Sequence, residues 1–323
     1  MAIKLKQFRV NAGLTQTKLA KAVGVSQPNY QRWEAGSTQI PDDKLKKLAK
    51  VLKTSVEALL GRHAPIEAVL YNKSVGEELN YYGEVAVHFV GGGRPILLSI
   101  SDSAYQRLYR DLQEALEFLT VESLANQTVI IRTKAIADLY FSSEAYDTYG
   151  PEHGDYEDHI ELQMPDPRDW EIVEALSFDD PDFVDFAAED VKRVSERIMI
   201  TDDQYDQLVK EGLIRPEERK AAKERDQKET NKIFDLAVQL KYQFSNGIVR
   251  TVNDYETKDL FEAFHLLVDY GEDIGSDLIR MPIAGWHRTA FINKDALDYV
   301  MMPTHRFNQG RLEVDAEELE ELE

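Results

Sequence analysis

Two histidines, His153 and His159, stand among Glu152, Asp155, Glu157, Asp158 and Glu161, and such a mixture of imidazole nitrogens and carboxylate oxygens could hold a divalent cation. The spacing matches no standard metal site, and an exposed acidic loop is the better reading. Gly91-Gly92-Gly93-Arg94 could cradle a phosphate on backbone N–H groups. A phosphate loop, however, opens a helix and leads into Lys-Ser/Thr, whereas Pro95 leads into an extended apolar run, so a hairpin turn is favoured. Ala284-Gly285 is the type of dipeptide that a serine–lysine self-cleaving protein cuts between its domains, but it lies far down the chain in a predicted strand region. Trp286-His287-Arg288 could line a pocket, although an aromatic followed by polar residues is ordinary strand alternation. No Ser/His/Asp or paired-carboxylate set stands out among 59 Asp and Glu residues. The absence of cysteine removes thiol nucleophiles, disulfides and cysteine-bound zinc or iron–sulfur sites. No catalytic residue, metal or cofactor is assigned, and the chain is not expected to be an enzyme.

The informative pattern lies in residues 14–36, LTQTKLAKAVGVSQPNYQRWEAG, which read as two short helices joined by a tight turn and sized for a DNA major groove. Apolar Ile3, Leu5, Phe8, Leu14, Leu19, Ala20, Val23 and Val25 recur at helical spacing on segments broken by Gly13 and Gly24. Five small helices are predicted. The first covers about 3–12. Thr15 caps the second, and Gly24 takes the positive φ of the turn after it. Ser26 caps the third, with Pro28 harmless in its first turn, Tyr30 and Trp33 facing the core and Gly36 ending it. The fourth starts at Pro41, with Asp42 and Asp43 at its positive end, and the fifth follows a Thr54-x-x-Glu57 capping box up to Gly61.

Residues 8–61 thereby resemble the Cro/CI-like (XRE-type) helix-turn-helix domain of phage repressors and related bacterial regulators. The resemblance rests on the 14–36 segment, the Pro-started helix after it and the closing VLKTSVEALLG, about one fifth of the chain. It implies that the second helix of the motif enters the major groove, with Gln27, Asn29 and Arg32 reading base edges and Pro28 meeting a thymine methyl. It further implies that Gln16, assisted by Thr15, fixes a phosphate at a helix N-terminus, and that Arg9 and Glu34 form an internal structural ion pair. The loop after the recognition helix, Ser37-Thr38-Gln39-Ile40, lacks the basic residues often found there in this family. Lys18, Lys21, Lys44 and Lys47 could supply the phosphate contacts instead.

Charge is distributed unevenly along the chain. Residues 1–62 hold 12 Lys and Arg against 4 Asp and Glu, a balance of +8, which leaves −29 of the net −21 on the remainder. An acidic body behind a basic head would orient the head toward DNA and keep the rest off it. No apolar run approaches the roughly 20 residues of a membrane span, and MAIKLKQF lacks the apolar stretch of a secretory signal, so a cytoplasmic location is expected.

The remainder reads as acidic α+β. The expected divisions are a helix-turn-helix domain over 1–62, a linker over 63–82, a first α+β module with an acidic irregular segment over 83–200, a helical connector over 201–238, a second α+β module over 239–311 and an acidic tail over 312–323. Residues 84–100 form a hairpin around the three glycines, followed by a helix capped by Ser101 or Asp102 with Tyr105, Leu108, Leu112, Leu116 and Leu119 on its apolar side. A second hairpin turns at Asn246-Gly247. Ile131-Arg132 can be matched with Ile279-Arg280, and Phe141, Ala145 and Asp147 with Phe291, Ala296 and Asp298, suggesting a duplicated β-hairpin, helix, strand module over 83–150 and 239–306. Residues 151–200 read as an irregular surface segment anchored by Trp170, Phe178, Phe183 and Phe186. The tail reads as frayed, with a DNA-mimicking competitor for the basic head as the second reading.

The function these readings imply is a sequence-specific DNA-binding transcriptional repressor, homodimeric on a palindromic operator, with the C-terminal region dimerising or sensing a signal. The alternative is an antitoxin-like or phage accessory protein whose acidic body grips a partner protein while its head autoregulates transcription.

Overall fold

A computed structural model describes residues 4–70, 80–114, 116–143, 162–178, 181–271, 276–284 and 288–322. The candidate cation cluster at 152–161 and the residues Gly285, Trp286 and His287 lie outside these. Five helices come first: α1 Leu5–Asn11, α2 Gln16–Val23, α3 Gln27–Glu34, α4 Asp42–Val51 and α5 Val56–Leu59. Their boundaries follow from local chemistry. The Thr15 hydroxyl accepts from Lys18 N at 3.1 Å, satisfying one of the orphan donors of α2, and Gly24 leaves that helix at φ +74°. Two expected caps differ. Ser26 stands before α3 in an extended conformation without a side-chain cap bond, and Ser55 rather than Thr54 caps α5, accepting from Ala58 N at 2.9 Å. Leu5, Leu19, Val23, Tyr30, Trp33, Leu48 and Leu59 close a core belonging to these helices alone.

The body is α+β. After a two-residue strand β1 (Val69–Leu70) come β2 Asn80–Phe89, β3 Ile96–Ser101, α6 Asp102–Asp111, β4 Phe118–Glu122, β5 Gln127–Arg132 and β6 Ile136–Ser143. Four helices follow: α7 Pro167–Leu176, α8 Ala188–Ile198, α9 Asp202–Lys210 and α10 Arg219–Val238. The last part holds β7 Leu240–Phe244, β8 Val249–Val252, α11 Thr257–Tyr270, β9 Leu278–Ile283, β10 Arg288–Asn293, β11 Leu297–Pro303 and α12 Thr304–Glu321. Strand β2 pairs with β1, β3 and β6; β9 pairs with β10; and a five-stranded antiparallel sheet runs β4-β5-β11-β7-β8. The central strand β11 is buried along its length and sets Val300 opposite Ile130 on one side and Tyr242 on the other.

Several expectations need correction. Part of the segment expected to be irregular is helical, in α7 and α8: Asp166 caps α7 by accepting from Arg168 N at 3.0 Å, Pro167 occupies its first turn, and Trp170 is buried against α8 and α10. Helix α6 stops at Asp111, so Leu119 belongs to strand β4 and pairs with Ile131. Phe178 is exposed and anchors nothing. The acidic tail is the end of α12, whose Phe307 and Val314 pack into the cluster built by α11 and β11. Ile131-Arg132 closes β5 whereas Ile279-Arg280 lies in β9, so that residue match joins different strands of their hairpins.

Head and body meet through polar contacts. Buried Asp166 accepts from Ile66 N at 3.2 Å and lies 3.3 Å from His63 Nε2, and the Lys4 ammonium lies 3.5 Å from Glu171 of α7.

Candidate nucleic-acid interface

Helix α3 has two faces. Tyr30 and Trp33, three residues apart, are buried among α2, α4 and the end of α1, while Gln27, Pro28, Asn29, Gln31 and Arg32 are exposed. The side chains whose donors and acceptors match base edges therefore stand together on the outward face, held there by an aromatic anchor on the other.

The segment leading into α2 and the end of α3 are tied together from behind by α1. Arg9 of α1 donates through Nε and Nη2 to the two carboxylate oxygens of Glu34, each at 2.8 Å, and through Nη1 to the Leu14 carbonyl at 2.9 Å. The guanidinium is 1% exposed and the Glu34 side chain 5%. Burial opposes both charges. Even so, the paired hydrogen bonds and opposite charge hold Arg9 above the ordinary guanidinium value and Glu34 below the ordinary carboxylate value. Burial, reinforced by the Glu34 charge, raises the neighbouring Tyr30 hydroxyl.

The residues expected on phosphate divide into three groups. Gln16 opens α2 with its side-chain amide donating to Glu34 Oε1 at 3.2 Å, so its orientation is fixed by the same ion pair. Lys18 is exposed on the first turn of α2, as are Lys21 and Lys47 farther along the head. Thr15 caps α2 as expected, and Lys44 makes contacts inside the head. The Thr15 side chain is buried as the cap of α2. The Lys44 ammonium reaches the Val23 carbonyl at 3.2 Å and the Gly24 carbonyl at 3.4 Å, where it complements the negative end of α2.

One contact was foreshadowed in the sequence only by the second reading of the acidic tail, as a competitor for the basic head. Glu320, in the last turns of α12, accepts from the backbone N–H of Gln16 at 2.9 Å and from Arg9 Nη1 at 3.0 Å. A carboxylate thus sits at the helix N-terminus where the resemblance places a phosphate. Beside it a cleft of about 590 Å³ separates Lys6, Gln31 and Ala35 of the head from Ala316, Glu317 and Glu321 of α12. The only sequence signal was compositional, the acidic run after Arg311, which indicates charge but not where the helix docks.

Among the described residues no group of His, Asp and Glu is placed to hold a metal ion, and no helix is long and apolar enough to cross a membrane. Comparison with known proteins gives one match, to the family model described as helix-turn-helix, over residues 5–59. No curated protein and no solved structure matches the chain. The matched span covers α1 to α5 and carries the buried Tyr30 and Trp33 behind an exposed polar face, so residues 5–59 are an XRE-type, Cro/CI-like helix-turn-helix domain, the DNA-binding unit of regulators of that type.

Proposed function

We propose that this protein is a transcriptional repressor that recognises a specific DNA sequence through Gln27, Pro28, Asn29 and Arg32 and binds as a homodimer to a palindromic operator. The observation that carries the reading is the outward face of α3, where these four side chains are exposed together while Tyr30 and Trp33 fix the helix from beneath. In it, Arg32 pairs with guanine and Gln27 and Asn29 with adenine, because their donors and acceptors match bidentately. Gln16 and Lys18 fix phosphates. A head of this size reads only a few base pairs, so a second copy would supply the other half-site about 34 Å away. The body supplies the dimer contact, and the protein acts by binding, without turnover.

The body also supports an origin in two copies of one module. A hairpin, a helix, a second hairpin, a single 3-10 turn and a last strand follow one another in 80–143 and again in 240–303. The last strand returns to pair with the first in each case, β6 with β2 and β11 with β7.

Selection of bound sites from a random duplex pool, repeated at two salt concentrations, tests the proposal. A palindrome with half-sites about one helical turn apart is the expected result. Salt-sensitive binding that enriches no motif would replace it with a nonspecific role.

A further inference from the structure

We propose that the C-terminal end of α12 is a built-in competitor for DNA, with Glu320 occupying the phosphate position at the start of α2 and holding the head in a low-affinity state. The inference rests on the DNA-reading role of α2 and α3 proposed above and adds a mechanism of regulation to it.

The geometry of the contact is that of an anion site. The first N–H groups of α2 have no partner within the helix and carry its positive end. One of them, on Gln16, points at Glu320 Oε1, and the almost fully buried Arg9 guanidinium donates to the same oxygen. A phosphate oxygen arriving at the Gln16 N–H would need the same donor in the same direction, so the DNA-engaged and α12-docked states exclude each other. Charge extends the conflict beyond that atom. After Arg311 the chain carries no further Lys or Arg but six Asp and Glu residues before the final Glu323. Three of them, Glu317, Glu320 and Glu321, border the cleft against the head. A DNA backbone approaching Gln16 and Gln31 would meet these carboxylates at close range.

The release step is local. The first half of α12 is fixed by buried His305, Phe307 and Gly310 against the body, whereas the Glu320 side chain is 34% exposed and its helix ends one residue later. The last turn can therefore fray from the head while the rest of α12 stays packed, which is the cheap end of a helix to open. Because Glu320 belongs to the same chain, it competes at a high effective concentration, and DNA must displace it to bind.

The test uses the full-length protein and a fluorescent duplex of mixed sequence, roughly three helical turns long. Glu320→Ala removes the competing carboxylate. Glu318→Ala, an exposed neighbour, makes the same change of net charge without the contact and controls for general electrostatics. Glu320→Ala is expected to bind about tenfold tighter than both the original protein and Glu318→Ala, within the usual range for coupling between two states. A chain ending at residue 318 should bind at least as tightly as Glu320→Ala. Equal affinity for Glu320→Ala and Glu318→Ala, with the duplex bound and Arg32→Ala weakening it, would overturn the competitor while leaving the DNA-reading role intact. Failure of every variant, including the shortened chain, to bind any duplex would overturn both.

Discussion

The guanidinium of Arg168, at the start of α7, donates to the carbonyl of Gly61 at 2.7 Å and to that of His63 at 3.0 Å, fastening the end of the head to the body across a sequence separation of more than 100 residues. It also lies 3.3 Å from Asp166 and from Asp190, and Asp166 is fully buried. Removing this one charge leaves two carbonyls without the guanidinium donor and the buried Asp166 carboxylate without its Arg168 charge partner. Arg168→Met should cost about 3–5 kcal/mol of stability in urea unfolding, the range for breaking a buried pair from one side. It should also speed tryptic cleavage after Arg62, since the connector loses its anchor. Stability within 1 kcal/mol of the original and unchanged cleavage would show that the junction is held by other contacts.

Base reading and phosphate holding separate by mutation. Arg32 is exposed on α3, so Arg32→Ala should relax preference at one position of each half-site and cost about 1–3 kcal/mol per contact. Gln16→Ala keeps the backbone N–H at the start of α2 and loses only a side chain already bonded to Glu34. It should weaken all sequences alike, by less than the Arg32 change. A shift in sequence preference for Gln16→Ala as large as for Arg32→Ala, measured on a panel of single-base variants, would show that the two roles are not divided in this way.

The head was legible in the sequence because its signals are local. Thr15, Gly24, Pro28 and Gly36 act within a turn of their own helices, and Tyr30 and Trp33 reveal the buried face by spacing alone. In the body, local and tertiary signals part company. Leu112, Leu116 and Leu119 continue a helical spacing, yet Leu119 is claimed by pairing with Ile131 across the β4-β5 hairpin. The α7 segment was masked by its Pro and Asp content, although Asp166 before Pro167 is itself a helix-start signal, an Asp cap followed by a Pro in the first turn. The tail was misread because charge density on 312–323 suggested fraying, whereas Phe307 and Val314 pack α12 against α11 and its neighbours and Ala316 is buried nearer the head. The Glu320 contact to Gln16 and Arg9 depends on where that helix docks, and docking left no periodic trace.

Glu174 gives the body a measurable acid dependence. Its Oε2 accepts from His305 Nε2 at 2.9 Å and its Oε1 from Arg306 Nη2 at 2.9 Å, tying α7 to the start of α12. Burial pushes this carboxyl up, but the bonds and charge of His305 and Arg306 outweigh it and bring it down to about 2 from 4.5. A carboxyl depressed in the folded state adds stability above its unfolded value and loses that contribution as pH falls through its folded value. The stability difference between the original protein and Glu174→Gln should therefore be about 3 kcal/mol above pH 5. It should shrink steadily between about pH 4.5 and pH 2, as followed by urea unfolding at each pH. A difference that stays constant across that window would mean that the pair does not depress the carboxyl.

Gly310 decides how closely α12 can approach α11. A Cβ placed there would fall on the backbone carbonyl of Thr257, with the carbonyl carbon at 2.7 Å and Phe261 Cβ at 2.8 Å, both inside any separation that real methyl groups adopt. Alanine is intrinsically the better helix former by about 1 kcal/mol, so an unhindered site would gain from the change. Here the obstacle is backbone at the first turn of α11, which cannot rotate away, and the helices must separate. Overpacking of this kind costs about 1–3 kcal/mol, and Gly310→Ala should lower stability despite its helix propensity. Gly310→Ser, with one more atom, should cost at least as much. An increase in stability for the alanine variant, measured by thermal and urea unfolding, would mean that α11 and α12 stand farther apart in solution than this packing requires.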